Sequence, residues 1–155
     1  MPNRPKYLKK CVRFPNCARG NNEVKSDIDA RYNCIAFAAG ITTKKYWPGQ
    51  SPDYYWPSNI PDAESVDSFI RLFESFGYAL LPGGATPANY NYAPGLQKVA
   101  LYADARGTPT HAALQIGGNK WASKLGGWFD IEHFDGAVSG GAYGKIVAFL
   151  QRKSP

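Results

Sequence analysis

A chain of 155 residues is long enough to form one domain that buries a core without disulfides or metal. Charged residues make up 19% and hydrophobic residues 44%, which excludes a disordered chain, and no apolar run approaches the roughly 20 residues that cross a bilayer, so no membrane partner is expected. The net charge of +6 equals the contribution of Arg4, Lys6, Lys9, Lys10, Arg13 and Arg19, which lie in residues 1–22 with no acid among them.

Residues 1–22 therefore read as a basic N-terminal arm ahead of a single near-neutral domain, residues 23–155. Such an arm is either solvated or folded over its own domain, and it has the charge for weak, nonspecific polyanion contact. Cys11 and Cys17 stand in the arm without CxxC spacing, and with Cys34 they make three cysteines, which is no disulfide framework. With only two histidines, neither a metal site nor a cofactor is expected. No apolar stretch follows the basic start, so the chain reads as cytoplasmic, or exported by a route that needs no signal peptide.

The acids of Asp27-Ile28-Asp29-Ala30 lead into a helix through Arg31–Gly40, central because Ile35, Phe37, Ala38 and Ile41 leave little polar surface. Pro48 to Pro61 is a long loop whose neighbourhood gathers Tyr46, Trp47, Tyr54, Tyr55 and Trp56. Asp62-Ala63-Glu64-Ser65 caps a second helix with a core stripe of Val66, Phe69, Ile70, Phe73 and Phe76, stopped by Gly77. A loop from Leu80 to Gly95 follows. Strands are then expected over 99–103, 110–116, 120–125 and 143–150, with Gly117-Gly118-Asn119 as a hairpin turn. Helices followed by antiparallel strands indicate an α+β domain.

Cys34 is the candidate nucleophile. At a helix start it feels the positive end of the helix dipole, which favours thiolate. His111, opening a later strand, is the candidate base, since a cysteine on a helix and a histidine on a strand can assemble a nucleophile pair. His133, flanked by acids, reads as a surface or hairpin residue, with a supporting role behind the base as its alternative. Asp130 is the expected partner that orients His111, because an unbroken hairpin register brings the chain beyond Gly126 past the imidazole; Ser123 and Gln115 are the alternatives. Tyr32 and Asn33 are the nearby side chains that offer an oxyanion donor, and Trp47, Tyr55 and Trp56 are expected to wall a substrate cleft. The competing reading makes Cys34 a packed thiol in a non-catalytic domain that binds through its Trp/Tyr/Pro loop.

Tyr32-Asn33-Cys34-Ile35-Ala36-Phe37 resembles the helix start of NlpC/P60-like enzymes in the papain-like superfamily, and the later strand histidine matches their order. The stretches Tyr-Asn-Cys-Ile-Ala-Phe-Ala, Thr-His-Ala-Ala, Trp-Ala-Ser-Lys-Leu-Gly and Asp-Ile-Glu-His also resemble, over residues 31–152, a group of small uncharacterised bacterial proteins. The first resemblance implies a papain-like fold, a nucleophile helix packed on an antiparallel sheet, and cleavage of an amide, or its relatives deamidation and acyl transfer, with Cys34 as nucleophile and His111 as base. The substrate expected of such an enzyme is a peptide, peptidoglycan or protein, and the small chain without a recognisable targeting module fits a bacterial or phage effector. The chain departs from those enzymes in carrying Ile35-Ala36 where they have serine and glycine, and in the distance of Asp130 beyond the histidine.

Overall fold

The structure, a computed structural model, describes residues 23–24, 29–125, 130–134, 138 and 143–155. The basic arm, with Cys11 and Cys17, lies outside the described residues. In chain order the elements are β1 (Glu23–Val24), α1 (Cys34–Ala38), α2 (Val66–Ser75), β2 (Ala79–Leu80), a 3-10 turn (Pro87–Tyr90), β3 (Leu96–Ala103), β4 (Pro109–Gly117), β5 (Lys120–Lys124), β6 (Asp130–His133) and β7 (Lys145–Lys153). The strands form one sheet in the order β1-β6-β5-β4-β3-β7-β2, and every pairing is antiparallel. The chain is α+β, with its helices on an antiparallel sheet. Among the described residues, no helix is long and apolar enough to cross a membrane.

Period-two alternation divides the central strands between two cores. On one face Val99, Leu101, Ala112, Ala148 and Leu150 meet Cys34, Ile35 and Ala36 of α1 and Phe69, Leu72 and Phe73 of α2. On the other, Ala100, Tyr102, Ala113, Trp121, Ile131 and Phe149 pack together. Burial on both faces explains why β3 and β4 read as nearly continuous apolar runs.

Local chemistry sets the helix ends. Ser65 caps α2 by accepting the Ser68 N–H at 3.1 Å, and Gly77 follows at φ +92°. α1 is shorter than its sequence suggests. It begins at Cys34 and closes after five residues, with Gly40 in a left-handed conformation at φ +81° just beyond its cap. β6 is an element that the sequence conceals. Asp130 and Glu132 occupy one face and Ile131 and His133 the other, so a run rich in charge still buries every second side chain. His133 is accordingly interior rather than a surface residue.

Gly144 turns the chain into β7 beside the end of β3. Its φ is +72°, and a Cβ there would stand 2.1 Å from the Ala103 carbonyl oxygen. Gly77 has a positive φ but open space around it. Gly77→Ala should therefore cost about 1–2 kcal/mol, the penalty of a left-handed alanine, and Gly144→Ala distinctly more, as measured by denaturant unfolding of the two variants. Equal losses would show that the approach to Ala103 carries no energy.

Candidate functional site

Asp29 and Arg31 form a tight turn ahead of α1: the Asp29 carboxylate accepts from the Arg31 backbone at 2.9 Å and from its guanidinium at 2.7 Å. The Arg31 side chain holds that half-buried carboxyl down at about 2. Asn33 then caps α1. Its Oδ1 accepts from Ala36 N and Tyr46 N, both at 3.2 Å, and its Nδ2 donates to Tyr46 O at 2.8 Å. The amide expected as an oxyanion donor is thus engaged in fastening the aromatic loop to the helix start. Tyr32 is engaged too, its hydroxyl 3.1 Å from an Asp130 oxygen and its ring stacked with Phe37.

Cys34 is 6% exposed and borders a cavity of about 310 Å³, shared with Asn33, Lys45, Trp47, Tyr54, Thr110 and Tyr143. Trp47 belongs to this wall as expected from the sequence, its indole N–H held by Glu64 at 2.6 Å. Tyr55 and Trp56 do not. They line a neighbouring cavity of about 720 Å³, and Trp56 also packs on Phe69 and donates to the Pro61 carbonyl. Tyr54 lines both cavities; its place in a proline-rich loop gave no periodic signal to single it out.

The electrostatics of Cys34 reverse the dipole argument. Burial pushes the thiol up to about 11, against weaker opposition from the backbone N–H groups of Ala112 and Ile35 and from the Lys124 charge. The rise corresponds to about 3 kcal/mol in favour of the neutral thiol, whereas a helix terminus supplies about 0.3–1 kcal/mol. A helix of five residues aligns few peptide dipoles. Lys124 itself is fully buried. Its ammonium donates to the Asp29 carbonyl and sits 4.8 Å from the centre of the Tyr32 ring. Desolvation lowers its pKa, and Asp130, Asp29 and Cys34 act in the opposite sense. This cation beside the thiol was not foreseen, because a lysine in a strand of alternating pattern reads as a surface residue.

His111 is completely buried but faces away from α1. Its neighbour Ala112 packs with Cys34, while the imidazole stacks on Tyr143 at 4.0 Å and meets Tyr102 edge-on at 5.2 Å. Its Nε2 lies 2.9 Å from Ser123 Oγ, and its Nδ1 has no hydrogen-bond partner among the described residues. No hydrogen bond joins it to Cys34. Burial, then the charge of His133, depress its pKa well below the ordinary value. Tyr143, stacked on this ring, is also part of the cavity that Cys34 borders, and Thr110 holds the Tyr143 carbonyl.

Asp130 does not orient His111. In the hairpin Gly117 does face Lys120, but a bulge then pairs Gln115 with Trp121 and Leu114 with Ala122. That one-residue shift turns Ser123, not a residue beyond Gly126, toward the imidazole. Asp130 stands opposite Lys124, on the face of Tyr32 and Cys34. Gln115 donates to the Tyr90 carbonyl at 2.7 Å. Among the described residues, no three His, Cys, Asp or Glu side chains gather as a metal cradle.

A family model described as a domain of unknown function (DUF7689) matches residues 23–151, and the chain belongs to that family. No curated protein and no solved structure matches the chain.

Two outcomes test this geometry. Alkylation of Cys34 by iodoacetamide should be slow at neutral pH and accelerate as pH rises toward about 11, since only the thiolate reacts; a plateau below pH 8 would contradict the buried, neutral thiol. Ser123→Ala should cost about 2 kcal/mol in denaturant unfolding, because it strips two buried imidazoles of a partner, and should shift the His111 ring resonances. Asp130→Asn should leave those resonances in place.

Proposed function

We propose that this member of the DUF7689 family is a cysteine-dependent amide hydrolase of papain-like type, with Cys34 as nucleophile and His111 as base. One observation carries the reading. Cys34 borders a cavity with an aromatic wall, and one of the backbone N–H groups that meet its sulfur belongs to Ala112, the residue next to a histidine whose Nδ1 has no hydrogen-bond partner among the described residues. Helix start, cavity and strand histidine stand in the order that a Cys–His hydrolase needs.

Because burial holds the thiol neutral, ionisation accompanies attack rather than preceding it. Sγ adds to the carbonyl carbon as its proton passes to His111; because the imidazole faces away from α1, the transfer runs through bridging water and not directly. The imidazole returns that proton to the leaving nitrogen, and a thioester to Cys34 remains. Water then attacks the thioester, releasing the acid and restoring the thiol. Lys124, on the Cys34 face, supplies positive charge for the developing anion. The aromatic lining of Trp47 and Tyr54 suits a peptide, a peptidoglycan stem peptide or a glutamine-bearing protein loop.

The raised thiol pKa and the missing Cys34–His111 hydrogen bond favour a second reading, a non-catalytic domain of papain-like shape that binds through its Trp/Tyr/Pro loop. A peptidyl vinyl sulfone separates the two, since its capture requires an activated thiol. The hydrolase should form one covalent adduct on Cys34 at neutral pH, and His111→Ala should slow its formation by about 10²–10⁴-fold. If no adduct forms while peptides quench Trp47 fluorescence, the domain binds without catalysis.

A further inference from the structure

His111 and His133 meet on a single hydroxyl. Ser123 Oγ lies 2.9 Å from His111 Nε2 and 2.7 Å from His133 Nε2, and all three side chains are excluded from solvent. A serine hydroxyl has one proton and two lone pairs. When both imidazoles are neutral and each is bonded through one nitrogen, it donates to one ring and accepts from the other.

The direction is set at the far end. His133 Nδ1 lies 2.9 Å from the Phe134 carbonyl oxygen, which can only accept, so that nitrogen carries the proton. In neutral His133 the Nε2 is then bare and takes the Ser123 O–H. Ser123 in turn accepts from His111, whose proton therefore sits on Nε2. The remaining nitrogen, His111 Nδ1, is left as a bare lone pair, and it is the buried side-chain atom without a hydrogen-bond partner among the described residues. The parallel stack of Tyr143 on His111, with 1° between ring planes, leaves the ring edges for these bonds.

We infer that His133, acting through Ser123, is the positioning residue that fixes His111 as its Nε2–H tautomer and reserves Nδ1 for accepting a proton. The tautomer follows from the hydrogen-bond geometry when both imidazoles are neutral; its consequence for catalysis rests on His111 being the base of the proposed hydrolase. Fixing the ring through its other nitrogen is what an orienting partner does for a general base. Here the orienter is a hydroxyl backed by a second imidazole, in place of the expected carboxylate.

Long-range proton–nitrogen NMR on the ¹⁵N-labelled full chain reads the tautomer directly. Near neutral pH, His111 should show a protonated, pyrrole-type Nε2 and a pyridine-type Nδ1; a protonated Nδ1 would overturn the inference. In His133→Phe, which removes the acceptor, the pyrrole-type signal should move to Nδ1 or divide between the two nitrogens. His133→Gln, whose amide oxygen can take the Ser123 proton, should restore it to Nε2. An undivided Nε2–H signal in a folded His133→Phe would show that another group sets the tautomer. If that variant does not fold, the wild-type and His133→Gln spectra still decide, since a protonated Nδ1 in either is incompatible with the relay. Vinyl sulfone capture on the same samples keeps the two ideas apart. The predicted tautomer without an adduct on Cys34 sinks the hydrolase and spares the relay, and an adduct with a protonated Nδ1 does the reverse.

Discussion

Neighbouring residues of a strand point to opposite faces of its sheet, and in β4 that constraint falls between His111 and Ala112. Ala112 packs against Cys34; His111 turns to Tyr102, Tyr143 and Ser123. The sheet thereby separates a thiol with a buried cation from a paired-imidazole network. Each arrangement exists because β4 is buried on both faces, which leaves polar groups to be satisfied largely by one another.

Both polar sets are costly in such a setting, and each meets the cost by internal pairing. Lys124 is answered by the Asp29 carbonyl and the Tyr32 ring, with Asp130 opposite in the next strand. His111, Ser123 and His133 close a chain that ends on the Phe134 carbonyl. Desolvation governs the charges throughout. It keeps the Cys34 thiol and the His111 imidazole neutral and works against the Lys124 ammonium. The acyl transfer proposed for this site would accordingly move a proton between neutral groups instead of starting from a preformed ion pair.

The aromatic loop is positioned by the same short helix. Asn33 ties Tyr46 to the start of α1, and a parallel bridge between Tyr46 and Tyr55 folds the loop back on itself. Lys44 and Lys45 sit over the Tyr55 and Tyr54 rings at 4.3 and 4.9 Å. The result is two cavities meeting at Tyr54, one bordered by Cys34 and the other walled by Tyr55 and Trp56. Asn33 thus links the Cys34 helix to the loop that walls both cavities.

Much of the architecture is local and therefore legible in the chain. Ser65 and the Phe69–Phe73 spacing specify α2, Gly117-Gly118-Asn119 specifies a hairpin, and the apolar runs specify β3, β4 and β7, because caps, turns and periodicity act over a few residues. Cys34 at a helix start and His111 in a strand were equally legible. The facing of their side chains was not. A bulge between Gln115 and Gly117 has no signature in Gln115-Ile116-Gly117, yet it substitutes Ser123 for Asp130 beside His111. β6 was hidden by its own acids, and with it the interior position of His133. The rise of the Cys34 pKa was hidden for the same reason: helix position is a property of neighbours in sequence, whereas desolvation is produced by strands that arrive from far along the chain. Residue types and local elements come from short-range interactions, and register, facing and burial come from tertiary packing, which here decides which of the reactive groups meet.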